Sequence, residues 1–431
     1  METKNTCYVE REMSEVKIRA LGALGDGVAS HTSGSVFVPF TLAGETVAIS
    51  GTPPHMNLDK VKNASQDRIE APCPYYGTCG GCNVQHLANA PYLEWKRSIV
   101  DDAFSQVGIN TDIEPVISTE GASRRRVTFS AQNLDGQLVL GFNKAKSHDL
   151  VDVEVCKIAL PAIEKSLPEL RTVLPSLLRG AGVLSAMVSA CDNGLDLAIT
   201  VEEAPNETMM ASFVRAFARS SFLRASINGD VVVEKEKPLI SFDEAVVEVP
   251  AGGFLQAVAS AENEIAAIVT THLNKSKRIV DLFCGSGTFT LRLAKRSRVH
   301  GVEMEQNALD ALASANVPAG TKSVTTERRD LHQLPLMNSE LKAFDGICLD
   351  PPRAGAEDQI KEIAKTDIRR IAYVSCNPTT LARDAAMLMK AGFKVDKVVP
   401  VDQFIYSHHV EVVALFSKAP VKGNRSIFAQ R

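Results

Sequence analysis

The spacing of apolar residues changes along the chain, and each change predicts a different kind of element. Over residues 16–51 apolar and polar positions alternate in short runs broken by glycines: Val16-Lys-Ile-Arg-Ala, then Gly22, Gly25 and Gly27, then Ser35-Val-Phe-Val-Pro39 and Glu45-Thr-Val-Ala-Ile49. Period-two runs so close together predict a small β-barrel. Prolines and glycines dominate residues 72–83, which predicts an irregular loop. A helical period follows over 92–107, then strands at 126–130 and 138–142, a helical stretch over 159–178, and strands at 182–188 and 195–201, an α+β succession. From Arg278 the rhythm becomes strand, turn, helix. Strands at 278–283, 299–303, 323–326, 344–350 and 370–376 alternate with amphipathic helices at 288–296, 306–315 and 380–391. Such alternation builds a doubly wound parallel sheet, and residues 393–400 with 409–416 predict a hairpin added at its end. The domains expected are a barrel over 1–70, a central α+β domain over 71–250 and the doubly wound domain over 251–431.

Composition narrows the class. With 431 residues, 45% hydrophobic and 23% charged, the chain is globular, and neither disordered nor fibrous. Lys plus Arg number 47 against 51 Asp plus Glu, so no global positive field draws it to nucleic acid. Any such binding must come from local patches. The densest is Arg124-Arg-Arg126, with Lys144, Lys146 and His148 downstream, suited either to phosphate contacts or to a solvated surface. The opening ten residues are charged and lack an apolar signal region, and no stretch approaches the roughly 18 apolar residues of a membrane span, so a cytoplasmic location is expected. Nine cysteines, an odd number, fit a reducing compartment.

Chemistry concentrates at the predicted strand ends. Asp281-Leu-Phe-Cys-Gly-Ser-Gly-Thr288 places a glycine turn between the first strand and its helix, where a ligand can approach backbone. The next strand ends in Glu303, placed to accept ribose hydroxyls. One acid and no room for a pyrophosphate suit S-adenosylmethionine better than a dinucleotide, although NAD stays open. Asp330 is placed to reach an adenine amino group, Phe283 to offer an apolar face and Thr288 a hydroxyl. The fourth strand ends in Asp350-Pro-Pro-Arg-Ala-Gly355, with Asp350 directed into the crevice. The fifth ends in Ser375-Cys-Asn-Pro-Thr-Thr-Leu-Ala-Arg-Asp384, so Cys376 stands before a helix N-terminus whose dipole is expected to lower its pKa. Cys284 and Cys348 read as core or turn residues. Cys73, Cys79 and Cys82, with Cys156 as a fourth thiolate, fit a metal or an iron-sulfur cluster, with zinc as the alternative.

Phe254-Leu-Gln256, the glycine turn through Phe289, Asp350-Pro-Pro-Arg-Ala-Gly355, the Ser-Cys-Asn-Pro segment, and Val401-Asp402 followed by His409-Val-Glu411 together resemble the RNA uridine-5 methyltransferase family. Residues 24–47 resemble the TRAM domain, an OB-like RNA-binding barrel. With that barrel and the cysteine cluster, the chain is most similar to the branch that methylates 23S ribosomal RNA. The resemblance implies a class I S-adenosylmethionine methyltransferase fold, Cys376 as nucleophile and Glu411 as base. It also implies an S-adenosylmethionine site of Gln256, Phe283, Thr288, Glu303, Asp330 and Asp350. A [4Fe-4S] cluster on Cys73, Cys79, Cys82 and Cys156, an RNA partner (23S rRNA, with tRNA as alternative) and a monomeric state complete the expectation. The family has Asn where Val258 stands, Phe-Pro-x-Thr where Phe404-Ile-Tyr-Ser407 stands, and an aromatic where Ser123 stands. A competing reading is a non-catalytic iron-sulfur protein that binds RNA.

Overall fold

The computed structural model describes residues 14–180 and 182–419, so the charged opening ten residues read above lie outside the described residues. The chain divides into two compact units. The first runs to Lys96 and adds Asn143–Asp149 and Ile405–His408; the second holds Arg97–Phe142, Leu150–Phe404 and the chain from His409.

In the first unit the strands Ser14–Leu21, Gly27–His31, Gly34–Val38, Thr46–Thr52 and His55–Asn63 close into a barrel, the fifth strand lying between the third and the fourth. Alternation puts Val16, Ile18, Ala29, Val36, Val38, Val47, Ile49 and Met56 inside. Gly27 is required on sterics, since a Cβ there would lie 2.1 Å from Thr41 Oγ1. The segment after the barrel is pinned by Arg68, whose Nε donates to buried Glu45 at 2.6 Å. The cysteine loop is likewise fixed within this unit. Tyr76 N donates to Cys73 O (3.1 Å), Gly80 N to Asn143 O (2.9 Å) and Asn83 N to Tyr406 O (2.9 Å), so residues 143–149 and 405–408 hold the loop's backbone.

In the second unit an eight-stranded sheet runs in the order Val324–Arg328, Arg298–Glu303, Arg278–Leu282, Gly346–Leu349, Arg370–Ser375, Glu411–Ser417, Lys394–Asp402, Ile117–Ser118. The first five strands are mutually parallel, and the hairpin Lys394–Asp402 with Glu411–Ser417 joins antiparallel. Both faces are covered, so strand residues are apolar at successive positions rather than at alternate ones. Ile279, Val299, Cys348 and Ala372 pack under the helix Ala259–Leu273. Val280, Leu282, Ile347 and Ile371 pack on the opposite side with Leu381, Ala385 and Leu388 of the helix Pro378–Lys390. A second, seven-stranded sheet spans Arg126–Leu134 to Asp230–Glu234 in sequence.

The expected doubly wound architecture with an N-terminal barrel is what the molecule has, and the central region, expected as α+β, combines helices with a mostly antiparallel sheet. Details differ from the sequence reading. The stretch 288–296 forms a single turn, Thr290–Leu293. The stretch 159–178 breaks into Pro161–Lys165, Leu167–Val173 and a 3₁₀ turn at Leu174–Leu177, because Pro168 and Pro175 each start a new segment. The edge strand Ile117–Ser118 is too short to carry a period. No helix among the described residues is long and apolar enough to cross a membrane.

Candidate active site

Strand order reverses at Arg278–Leu282, which has Arg298–Glu303 on one side and Gly346–Leu349 on the other, and this switch point opens a crevice at the strands' carboxyl ends. A cavity of about 670 Å³ lies there, wholly within the second unit. Gln256, Phe283, Thr288, Glu303, Asp330, Asp350, Cys376 and Glu411 all line it.

The glycine turn is shaped by left-handed backbone at Phe283 (φ 62°), Gly285 (φ 53°) and Gly287 (φ 99°). At Gly287 a Cβ would come 2.6 Å from Leu312 Cδ1. Glu303 is held by three backbone N–H groups: Oε1 accepts from Met304 (2.7 Å) and Glu305 (3.0 Å), and Oε2 from Gly285 (3.1 Å), which ties the turn to the second strand tip. Asp330 Oδ1 accepts from His332 N (3.0 Å), and the His332 ring lies 5.4 Å from that of Phe283. Beneath the turn, buried Asp281 accepts from Thr290 Oγ1 (2.6 Å), and burial pushes its carboxyl up to about 6.

At the other end, the Cys376 loop and the Asp350 loop are locked together. Asn377 caps its helix by accepting from Thr379 N (3.2 Å) and donates to Arg353 O (2.9 Å); Asp384 accepts from Ala356 N (2.9 Å) and from Tyr373 OH (2.6 Å). Gly355 (φ 78°) sits where a Cβ would meet Arg383 Nη2 at 2.8 Å and Asp384 Oδ2 at 2.9 Å.

The electrostatics correct one expectation. Burial, then the Glu411 and Asp350 carboxylates, push the Cys376 thiol up to about 11. The helix N-terminus does not outweigh two acids and enclosure, so the thiol of the free protein is protonated. Glu411 is 3% exposed, and burial lifts it to about 7 against the pull of its hydrogen bond from Gln403. Asp350 is held well above the ordinary carboxylate range by enclosure, then by Glu411 and Asp281.

Sequence reasoning missed Gln403, which donates to Glu411 Oε2 (2.7 Å) and to Gln256 Oε1 (2.8 Å). Its only signal was a lone amide one residue beyond a strand end. The basic triplet also divides. Arg125 is 4% exposed and paired with Glu262 (2.5 Å), so a phosphate role is excluded for it. Arg124 and Arg126 line the cavity, their guanidinium carbons 5.9 Å from the ring centroid of Phe404 and 5.7 Å from that of Phe254. Lys144, Lys146 and His148 belong to the first unit. Cys284 and Cys348 are buried, as expected.

Cys73, Cys79 and Cys82 are half-buried in the loop of the first unit, and Cys156 belongs to the second. Among the described residues no three His, Cys, Asp or Glu side chains converge as a metal site.

Residues 210–419 match the model of the tRNA (uracil-5-)-methyltransferase family. An RNA methyltransferase of Brucella suis is 41% identical over 405 residues, covering 94% of this chain and 98% of that protein. A 23S rRNA (uracil(1939)-C(5))-methyltransferase of Shewanella amazonensis is 32% identical, covering 93% of this chain and 95% of that protein. The crystal structure of the Pyrococcus abyssi tRNA (uracil-54, C5)-methyltransferase with S-adenosyl-L-homocysteine shares the fold, with a TM-score of 0.74 at 23% identity over 93% of this chain and 99% of that one. With a relative this similar along almost its entire length, the chain belongs to the family of S-adenosylmethionine-dependent RNA uracil-5-methyltransferases.

Proposed function

We propose that this enzyme methylates C5 of a uridine in 23S ribosomal RNA, using Cys376 as nucleophile and Glu411 as base. The observation that carries the reading is the single cavity that joins a thiol, a buried carboxyl near neutrality and a glycine turn with a ribose-accepting acid. S-adenosylmethionine fits the turn. Glu303 keeps acceptor capacity beyond its three backbone donors, and Phe283, Thr288, Asp330, Asp350 and Gln256 complete the residues that would hold it. When bound, it supplies an electrophilic methyl group.

Uracil C5 is a weak nucleophile until C6 is attacked. In the proposed sequence the half-buried Cys376 thiol gives its proton to solvent water and its sulfur bonds to C6. The C5=C6 electrons move into an enolate, and C5 takes the methyl group as the donor sulfur keeps the bonding pair. Glu411 then takes the C5 proton; the released pair restores C5=C6 and expels the thiolate. The uridine must leave its stack to reach the strand tips. Arg124 and Arg126 line the cavity; burial, and then the neighbouring Arg124, disfavours the charge of Arg126, which a backbone phosphate would offset.

The choice of 23S rRNA rests on the Shewanella relative's substrate; tRNA, named in the family's description, is the second reading. For the thiolate loop we propose a structural [4Fe-4S] cluster on Cys73, Cys79, Cys82 and Cys156. The donor chemistry is right, and Gly81 N already donates to Cys79 Sγ at 3.5 Å, as amides do to cluster thiolates. Methyl transfer moves no net electrons, so no step of the reaction needs it. The test is transfer of labelled methyl groups to separate 23S rRNA and tRNA transcripts. Label in 5-methyluridine of the 23S transcript alone supports the reading; label in tRNA alone moves the substrate to the second.

A further inference from the structure

We propose that Gln403 is a positioning residue that fixes the carboxylate of Glu411 for proton removal and couples it, through Gln256, to Asp350. This rests on the reading of Glu411 as base.

The geometry assigns every atom of the Gln403 amide. Its Oε1 accepts from the backbone N–H of Ala257 at 3.0 Å. A backbone N–H can only donate, so that face must be oxygen and the opposite face nitrogen. Nε2 therefore points at Glu411 Oε2 (2.7 Å) and Gln256 Oε1 (2.8 Å). Gln256 must in turn present its own Nε2 to Asp350 Oδ2, at 2.9 Å. One backbone donor thus sets the polarity of a chain of two amides between two carboxyl groups. The backbone that carries Gln256 and the Ala257 donor is itself anchored: Arg125 Nε donates to Gln256 O (2.8 Å) and Arg125 N to Ala257 O (2.8 Å). Gln403 and Gln256 are each 2% exposed, so water does not compete for these bonds.

A base that removes a proton from carbon needs one oxygen aimed and the other restrained. Gln403 restrains Oε2 and leaves Oε1 as the oxygen for the C5 proton. The donor also favours the ionised form of a carboxyl that burial would keep protonated. The other titratable or charged groups around it are Asp350, with Asp281 and Glu262 behind, Cys376 on the neighbouring strand end, and Arg353 and His409 on the loop side. Enclosure holds Asp350 well above the ordinary carboxylate range, and at Glu411 the Gln403 donor is what works against burial to favour the charge.

The test measures resolution of the covalent RNA–enzyme adduct against pH by rapid quench, with a 23S rRNA transcript and S-adenosylmethionine. Two variants guard against misfolding: Gln403→Met, close in shape and without the donor, and Gln403→Glu, isosteric and placing a carboxyl where the donor stood. Both should move the midpoint of adduct resolution to higher pH, by about one unit or more. In a Glu411→Gln background, Gln403→Met should add nothing. A wild-type midpoint in both folded variants overturns the proposal. Absence of any adduct with the wild-type and Glu411→Gln proteins instead overturns the reading of the base, and this inference with it.

Discussion

In the proposed mechanism two demands conflict at Cys376, since the thiol must become a thiolate to attack C6, yet burial and then the acids around it hold it protonated up to about pH 11. Alkylation of Cys376 by iodoacetamide, followed by peptide mass spectrometry, should therefore be slow at pH 7 and rise steadily to beyond pH 10. Glu411→Gln removes one of the opposing charges and should speed alkylation at pH 8; an unchanged rate would mean that Glu411 does not act on the thiol. On RNA, Cys376→Ala should form no covalent adduct, whereas Glu411→Gln should accumulate it, because addition and methyl transfer precede the blocked elimination. Denaturing gels distinguish the two. Glu411 also links stability to pH. Its carboxyl is lifted from 4.5 to about 7 in the folded protein, so the folded state binds the proton more tightly. The stability this provides is complete below pH 4.5 and is lost as pH rises through 7, up to about 3 kcal/mol. Glu411→Gln lacks that loss. Its melting temperature relative to wild type should climb between pH 5 and 7.5 and then level; a pH-independent difference would contradict the burial argument.

Among the elements, the two loops that meet below the cavity depend on one another. Gly355 at φ 78° stands against Arg383 and Asp384, whereas Gly320 at φ 91° has nothing within 4 Å of a Cβ. Gly320→Ala should cost only the left-handed backbone term, about 1 kcal/mol, and Gly355→Ala distinctly more, because it also displaces the Asp384 contacts that join the loops. Equal losses in thermal denaturation would remove the steric part of this account. The cysteine loop gives a second element-level outcome. Anaerobically prepared protein should be brown with about four irons per chain, and Cys79→Ser should lose the iron. Stoichiometric zinc in a colourless protein would overturn the cluster's identity. Strand tips in a doubly wound sheet are short contiguous segments, which is why Asp281–Thr288, Asp350–Gly355 and Ser375–Asp384 were legible in sequence together with the residues that line the cavity. Gln403 was not, because its orientation depends on Ala257, 146 residues away. Arg125 read as a surface charge because its partner Glu262 lies 137 residues off. Pairings of that kind are created by the fold and leave no local period.

For the whole molecule, a net charge of -4 leaves RNA binding to local groups, and Arg124, Arg126, Arg329 and Arg353 line the cavity that holds the proposed nucleophile and base. The division into a barrel unit that recruits residues 143–149 and 405–408 was invisible to periodicity, since both are short segments without an element of their own. The barrel itself and the alternation of strand and helix were plain. Whether this enzyme makes 5-methyluridine in 23S ribosomal RNA is decided by nucleoside mass spectrometry of 23S rRNA and tRNA, purified separately from a deletion strain and its parent. 5-Methyluridine should fall in 23S rRNA of the deletion strain, stay unchanged in its tRNA, and return with the wild-type gene but not with Cys376→Ala; unchanged 5-methyluridine in 23S rRNA would overturn the proposed function.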